Sequence, residues 1–204
     1  MKRMIFIGMT FAILLSGCGV KTTNIDTIND DGKAVMGLDY RDFNVAATEM
    51  VRSLIKGGSL NKPGGGRYVV TTGRIVNDTM QRIDTDQLMA KIEEELMNSG
   101  LVAMTSAVGG KGAPDEMIHE MRNIRESGDA DEFAANTLPA KRQLIAPEIS
   151  ISGKIIQRNV SYDNNKQQVE YYFQLKASDI TSGLRFWQKE TVIGKRGSNK
   201  SVGW

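Results

Sequence analysis

The chain has 204 residues, with 26 Lys or Arg against 24 Asp or Glu, 40% hydrophobic positions, 21 Gly, 4 Pro, one His and one Cys. That length and composition fit one folded domain with accessory segments, and they exclude a collagen-like, coiled-coil or wholly disordered chain. A single Cys forms no internal disulfide, and with a single His it builds no zinc site unless carboxylates supply the remaining ligands.

Lys2 and Arg3 open the chain, and the run from Met4 to Leu15 carries no charge. A helix of that length spans about 18 Å against a hydrocarbon core of roughly 30 Å, so the run reads as an export signal rather than a membrane anchor. Leu15-Ser16-Gly17-Cys18 resembles the bacterial lipobox, whose Cys is diacylated, becomes the new N-terminus after cleavage and is usually acylated a third time. The resemblance implies a signal peptide over residues 1–17 and lipid attachment, palmitate included, at Cys18. Two or three acyl chains, at about 0.8 kcal/mol per buried methylene, hold a protein on a bilayer without a spanning helix. Gly19, not Asp, follows Cys18; by resemblance to lipoprotein sorting in diderm bacteria this implies the outer membrane, with the domain facing the periplasm. Cleavage removes Lys2 and Arg3 but no acid, so 26 less 2 leaves 24 bases against 24 acids. A neutral mature chain has no electrostatic footprint for nucleic acid.

Residues 18–38 are polar and lack apolar periodicity, which reads as a lipidated, flexible tether ahead of a globular domain over 39–204. About 20 residues reach roughly 70 Å at full extension and nearer 25 Å as a coil. Asp42 to Ile55 places Phe43, Ala46, Ala47, Met50 and Leu54 at helical spacing, predicting a helix packed on a sheet. Gly57, Gly58 and the Asn61 to Gly66 run end it; no Gly-Lys-Ser/Thr follows, so the triple Gly reads as a plain loop and not a phosphate cradle. Arg67 to Thr72 predicts an inner strand, with Gly73 to Thr79 as a connection.

A second helix starts with Asp84 or Thr85 as its cap, shows Leu88, Met89, Ile92 and Leu96 on one face, and closes at Ser99-Gly100. On it, Glu93, Glu94 and Glu95 point about 100° apart and cannot converge on one ion. Val102 to Thr105 predicts a brief strand, and a loop with Gly109, Gly110 and Gly112 follows. Asp115 to Glu126 predicts a helix with Met117, Ile118, Met121 and Ile124 facing inward. His119-Glu120 is half of a zincin pattern, but position 123 is Asn, so His119 is expected on the surface and no metal site is expected. A further short helix is expected over Asp129 to Asn136.

Beyond Pro147 the period changes from helical to two. Ile149, Ile151 and Ile155 alternate with polar residues over Glu148 to Arg158, and Val169, Tyr171, Phe173, Leu175 and Ala177 alternate with Glu170, Tyr172, Gln174 and Lys176. Such alternation predicts half-buried strands. Asp163-Asn164-Asn165-Lys166 reads as the hairpin turn between them, and Thr181-Ser182-Gly183 leads to a last strand over Leu184 to Ile193. The expected fold is α/β, an α+β sandwich: a small mixed sheet of about four to five strands with helices packed against it.

The run from Val69 to Gly100, with Asn77, Thr79, Ile83, Thr85, Asp86, Leu88, Leu96 and Asn98, and the later run from Tyr171 to Glu190, with Asp179, Ser182, Gly183, Leu184 and Trp187, resemble the LpoB family of outer-membrane lipoproteins. The resemblance extends from about Asp39 to Lys195 and agrees with the lipobox. It implies a domain similar to the N-terminal domain of TolB that has no active site. Such a domain docks on a regulatory domain of a bifunctional penicillin-binding protein and stimulates peptidoglycan synthesis. In family members that reach an inner-membrane synthase the tether is long and Pro-rich, whereas here Pro63, Pro114, Pro139 and Pro147 all lie after residue 39.

The expected function is therefore a non-catalytic activator of a penicillin-binding protein. The alternative is a periplasmic binding module of an outer-membrane assembly or secretion complex, which the short tether favours. Neither requires a cofactor, nucleic acid or small-molecule substrate. No Gly-x-Ser-x-Gly, dinucleotide or Walker motif is present, and the chain is not expected to be an enzyme. Arg158, Tyr162, Asn164 and Lys166, at the exposed hairpin end, are the candidate partner-binding residues.

Overall fold

The computed structural model describes residues 24–27, 32–134, 136–163 and 165–198. Residues 1–33 and 34–204 form separate units. In the first, the described residues 24–27, 32 and 33 are exposed and without regular structure.

The second unit holds helix α1 (Tyr40–Lys56), strand β1 (Tyr68–Asp78), helix α2 (Thr85–Asn98), strand β2 (Val102–Met104) and helix α3 (Met117–Glu126). A 3₁₀ turn (Gly128–Glu132) and strands β3 (Ile149–Asp163), β4 (Lys166–Asp179) and β5 (Arg185–Ser198) complete it. The sheet order is β2-β1-β3-β4-β5. β1 is parallel to both β2 and β3, while β3, β4 and β5 form an antiparallel meander. This is the mixed sheet expected from the period-two runs that follow short βα units.

Local chemistry explains where the first two helices begin. Asp39 caps α1 by accepting from the amides of Arg41 and Asp42, and Asp42 returns the bond by accepting from the Asp39 amide at 2.8 Å. Two otherwise orphaned donors are thereby satisfied reciprocally. Asp84 caps α2 through the amide of Asp86 at 3.0 Å, and Gly100 follows that helix with φ 71°, a conformation an L side chain resists.

The apolar stripes of α1 and α2 meet one face of the sheet. Phe43, Ala46, Ala47, Met50 and Leu54 pack with Leu88, Ile92 and Leu96 against Val70, Ile151, Ile155, Tyr171, Phe173 and Leu175. Phe43 and Phe173 meet edge to face with centroids 6.2 Å apart. Each fully buried side chain of this kind contributes about 1.5–3 kcal/mol of transfer free energy, so the two stripes position the sheet.

The segment leading into α1 is fastened to this core. The Tyr171 hydroxyl donates to Met36 O at 3.0 Å and receives a bond from Gln81 Nε2, and the Leu38 amide donates to Gln81 Oε1 at 3.1 Å. Lys195 Nζ donates to Gly37 O at 2.7 Å and to Asp42 Oδ2 at 2.5 Å. Burial pushes the Tyr171 hydroxyl up to about 12; the Gln81 bond opposes that shift and the Asp42 charge adds to it.

Five elements differ from expectation. β1 does not stop at Thr72: Gly73 and Arg74 form a register irregularity opposite β3, and pairing resumes from Ile75 to Asp78. β3 and β5 both extend five residues past their expected ends, Arg158 and Ile193, because β4 is long enough to pair with them throughout. α3 buries none of its residues, and Met117, expected inward, is 57% exposed. The expected helix over 129–136 is only the 3₁₀ turn Gly128–Glu132.

Candidate partner-binding surface

Period two divides the meander into two unlike faces. On β4, Val169, Tyr171, Phe173, Leu175 and Ala177 are buried against the helices, while Gln168, Glu170, Tyr172, Gln174 and Lys176 on the opposite face are half-buried. The strand register aligns Arg158, Glu170 and Gly194 across three strands, with Ile156, Tyr172 and Val192 in the next row. Val192 is 50% exposed and Val160, further along β3, is 43% exposed.

The polar side chains of this face are joined in series. Arg196 Nε donates to Gln168 Oε1 at 2.6 Å, Gln168 Nε2 donates to Glu170 Oε1 at 2.5 Å, and the Tyr172 hydroxyl donates to Glu170 Oε2 at 2.6 Å. The Arg158 guanidinium lies over the Tyr172 ring, 5.2 Å from its centroid. Glu170, accepting from Tyr172 and Gln168, is held below the usual carboxylate range. Its carboxylate in turn raises the Tyr172 phenol, with burial and charge adding to the shift. At neutral pH the pair is therefore Glu⁻ and neutral Tyr, and the phenol stays a donor. Gly194 has open space where a Cβ would stand. It leaves a depression of about 420 Å³ bounded by Gln168, Glu170, Val192 and Arg196. An aromatic ring and guanidinium groups held in one geometry, beside apolar residues and a concavity, suit docking because little side-chain entropy remains to be lost.

Of the sequence candidates, Arg158 is exposed and belongs to this face. Lys166 is exposed and pairs across the sheet with Ser198 and Asp163. Asn164 and Cys18 lie outside the described residues, as does the side chain of Tyr162. The candidates did not include Gln168, Glu170, Tyr172, Val192, Gly194 or Arg196. Alternation alone marks Glu170 and Tyr172 as the solvent side of β4, but only the cross-strand register brings β5 residues beside them.

The other sequence motifs resolve into structural roles. Glu93 accepts from Thr72 Oγ1 at 2.7 Å, Glu94 pairs with Lys91 at 2.8 Å, and Glu95 accepts from Thr48 Oγ1 at 3.1 Å, so the three carboxylates diverge. His119 is exposed, and its Nε2 donates to Ala107 O at 2.7 Å. In the Gly-rich loop, the Gly110 amide donates to Thr72 O at 2.8 Å; a Cβ on Gly110 would lie 2.6 Å from the Gly73 carbonyl carbon, so backbone approach explains the glycine. Among the described residues no group of three His, Cys, Asp or Glu converges to hold a metal, and no helix is long and apolar enough to cross a membrane.

Fold and surface together describe a mixed α/β domain with α1 and α2 on one side of its sheet and an ordered, partly apolar face on the other. The chain belongs to the LpoB family: the model of the peptidoglycan-synthase activator LpoB matches residues 42–193. Among solved structures, it is similar to the LpoB C-terminal domain from Salmonella enterica, at 11% identity and TM-score 0.41 over 74% of this chain and 98% of that one. The LpoB C-terminal domain from Escherichia coli gives 12% and 0.41 over 76% and 99%. The lipoprotein GNA1162 from Neisseria meningitidis gives 13% and 0.39 over 67% and 87%. Comparison with curated protein sequences yields no match.

Proposed function

We propose that this protein is a non-catalytic outer-membrane lipoprotein that binds and activates a bifunctional penicillin-binding protein. The observation that carries this reading is the family match, which begins two residues into α1 and ends within β5. Cys18 is the lipid attachment point, and the periplasm is the compartment the domain faces. The docking surface is the open face of the meander with the adjoining hairpin end: Arg158, Tyr172, Glu170, Val192 and Arg196, with Tyr162, Asn164 and Lys166 at the turn.

Activation by such a module is differential binding. The domain stabilises the synthase conformation that polymerises and cross-links, by no more than the difference between its affinities for the two states. The test is addition of soluble residues 19–204 to the cognate synthase in a glycan polymerisation assay. A rise in rate that saturates with added protein is expected; an unchanged rate with the cognate synthase sinks the reading.

One observation favours a second reading. Because Met36 to Leu38 are fastened to the core, the leash from Cys18 ends at residue 35 and reaches roughly 60 Å at full extension. That length suits a partner at the outer membrane itself, in an assembly or secretion complex. Affinity capture from membranes, returning a synthase or an outer-membrane complex, separates the two.

A further inference from the structure

The connection from β2 to β3 is far longer than its topology requires. β3 is parallel to β1, and a crossover between parallel strands needs about a dozen residues; this one has 44, between Met104 and Ile149. Among its described residues only Ala107 is buried. Removing its apolar side chains from the domain would therefore cost the core almost nothing, yet the segment is rich in them. Loops of this length in compact domains are usually functional or disordered, and this one is ordered by bonds of its own.

Those bonds leave α3 with an apolar face of which no residue is buried. His119 ties the helix to Ala107 O at 2.7 Å, Arg125 ties it to Pro139 O at 2.7 Å, and Ser127 caps the following 3₁₀ turn through the Asp129 amide at 3.2 Å. Ile118, Met121 and Ile124 form an i, i+3, i+6 stripe that stays half-exposed, with Met117 57% exposed beside it and Phe133 41% exposed beyond the 3₁₀ turn. Methionine is suited to surfaces that must conform to a partner.

Charge selects what covers the stripe. From Asp115 to Glu132 there are seven carboxylates against Arg122 and Arg125. Both arginines are turned back onto main-chain carbonyls, Arg122 onto Ile118 O and Arg125 onto Pro139 O. Lys141 returns to Glu126 at 3.0 Å. Counting all three cations still leaves an excess of four negative charges on a chain whose mature form is neutral overall.

We infer that α3 and the 3₁₀ turn form a second docking surface, distinct from the open face of the meander, for a partner protein that presents a Lys- and Arg-rich surface around an apolar cleft. The Met117, Ile118, Met121 stripe enters the cleft, and the surrounding carboxylates set orientation and approach. The surface does not depend on the partner being a synthase.

The test uses the full chain in its native cells, with a photo-crosslinking amino acid in place of Met117, alone and combined with the charge reversals Glu116→Lys and Glu120→Lys. Both glutamates are exposed, and far-ultraviolet circular dichroism checks that the reversals leave the fold intact. The expected result is an adduct that maps by mass spectrometry to a Lys- and Arg-rich surface of another protein and falls about tenfold with the two reversals. No adduct, an adduct to a second copy of this chain, or an adduct whose yield ignores the reversals overturns the inference. An adduct of the expected kind supports this surface whether or not the other protein is a synthase, and the polymerisation assay alone decides the synthase reading. A chain that stimulates the synthase yet gives no adduct at position 117 separates the two.

Discussion

Replacing Lys195 by Met tests how the start of the folded domain is held. Lys195 and Asp42 form an ion pair at 2.5 Å with side-chain exposures of 9% and 11%, and the same ammonium donates to Gly37 O at 2.7 Å. Methionine preserves much of the aliphatic stem but leaves a carboxylate and a carbonyl without their donor. Breaking one side of a buried pair costs about 3–5 kcal/mol, mostly because the remaining charge is stranded. Asp42 keeps its bond from the Asp39 amide at 2.8 Å, which places the cost near the lower end. For a domain of this size about 3 kcal/mol lowers Tm by about 6–12 °C. Urea unfolding and thermal melts measure both quantities. Hydrogen exchange at the Leu38 amide, which bonds to Gln81 Oε1, reports the loosening locally. Adding Asp42→Asn removes the stranded charge while keeping an oxygen acceptor for Asp39, so the double variant recovers more than half of the loss. A Tm change under about 3 °C for the single variant, or a double variant no more stable than the single one, refutes the reasoning.

Three further predictions follow from other sites. Tyr172→Ala removes the ring beneath Arg158 and the donor to Glu170; it lowers affinity for the partner about tenfold in a binding titration, with Tm within about 2 °C of wild type, if the open face docks. Gly153→Ala places a Cβ 2.3 Å from Gln174 O and 2.7 Å from Leu175 Cδ2, which forces β3 from β4 and costs about 1–3 kcal/mol in urea unfolding. Glu148 is held below the usual carboxylate range by Lys62 Nζ at 2.7 Å, which is the larger cause, and by the Val69 amide at 3.1 Å. Asp179 is lowered by Ser182, through its hydroxyl and then its amide. Depressed folded-state values mean that the stabilisation is present above the unfolded carboxylate range and is lost as pH falls through the folded one. Glu148→Gln accordingly flattens the acid limb of a stability titration and leaves its shape near neutral pH unchanged.

Local pattern carried most of the architecture. The stripes of α1 and α2, the Asp84 cap, Gly100 and the alternation over β3 and β4 are short-range signals with a fixed period, and each is visible within one segment. α3 was misread for an instructive reason: its Met and Ile spacing announces an amphipathic helix equally well whether the apolar face meets a core or waits for a partner. The continuation of β1 past Gly73 was hidden because a strand with an irregularity depends on the strand beside it, here β3, and not on its own residues.

The sequence by itself determined the secondary-structure order, the inward and outward sides of β4, the lipobox expectation at Cys18 and the family resemblance, because each is written in residue type and spacing. Tertiary structure alone decided which outward residues become neighbours. Arg158, Gln168, Tyr172 and Arg196 come from three strands, and the contacts of Arg158 with Tyr172 and of Arg196 with Gln168 exist only once hydrogen-bond register is set. Register is a property of paired strands, and it is the physical reason that the candidate surface was legible in part at Arg158 and invisible at Arg196.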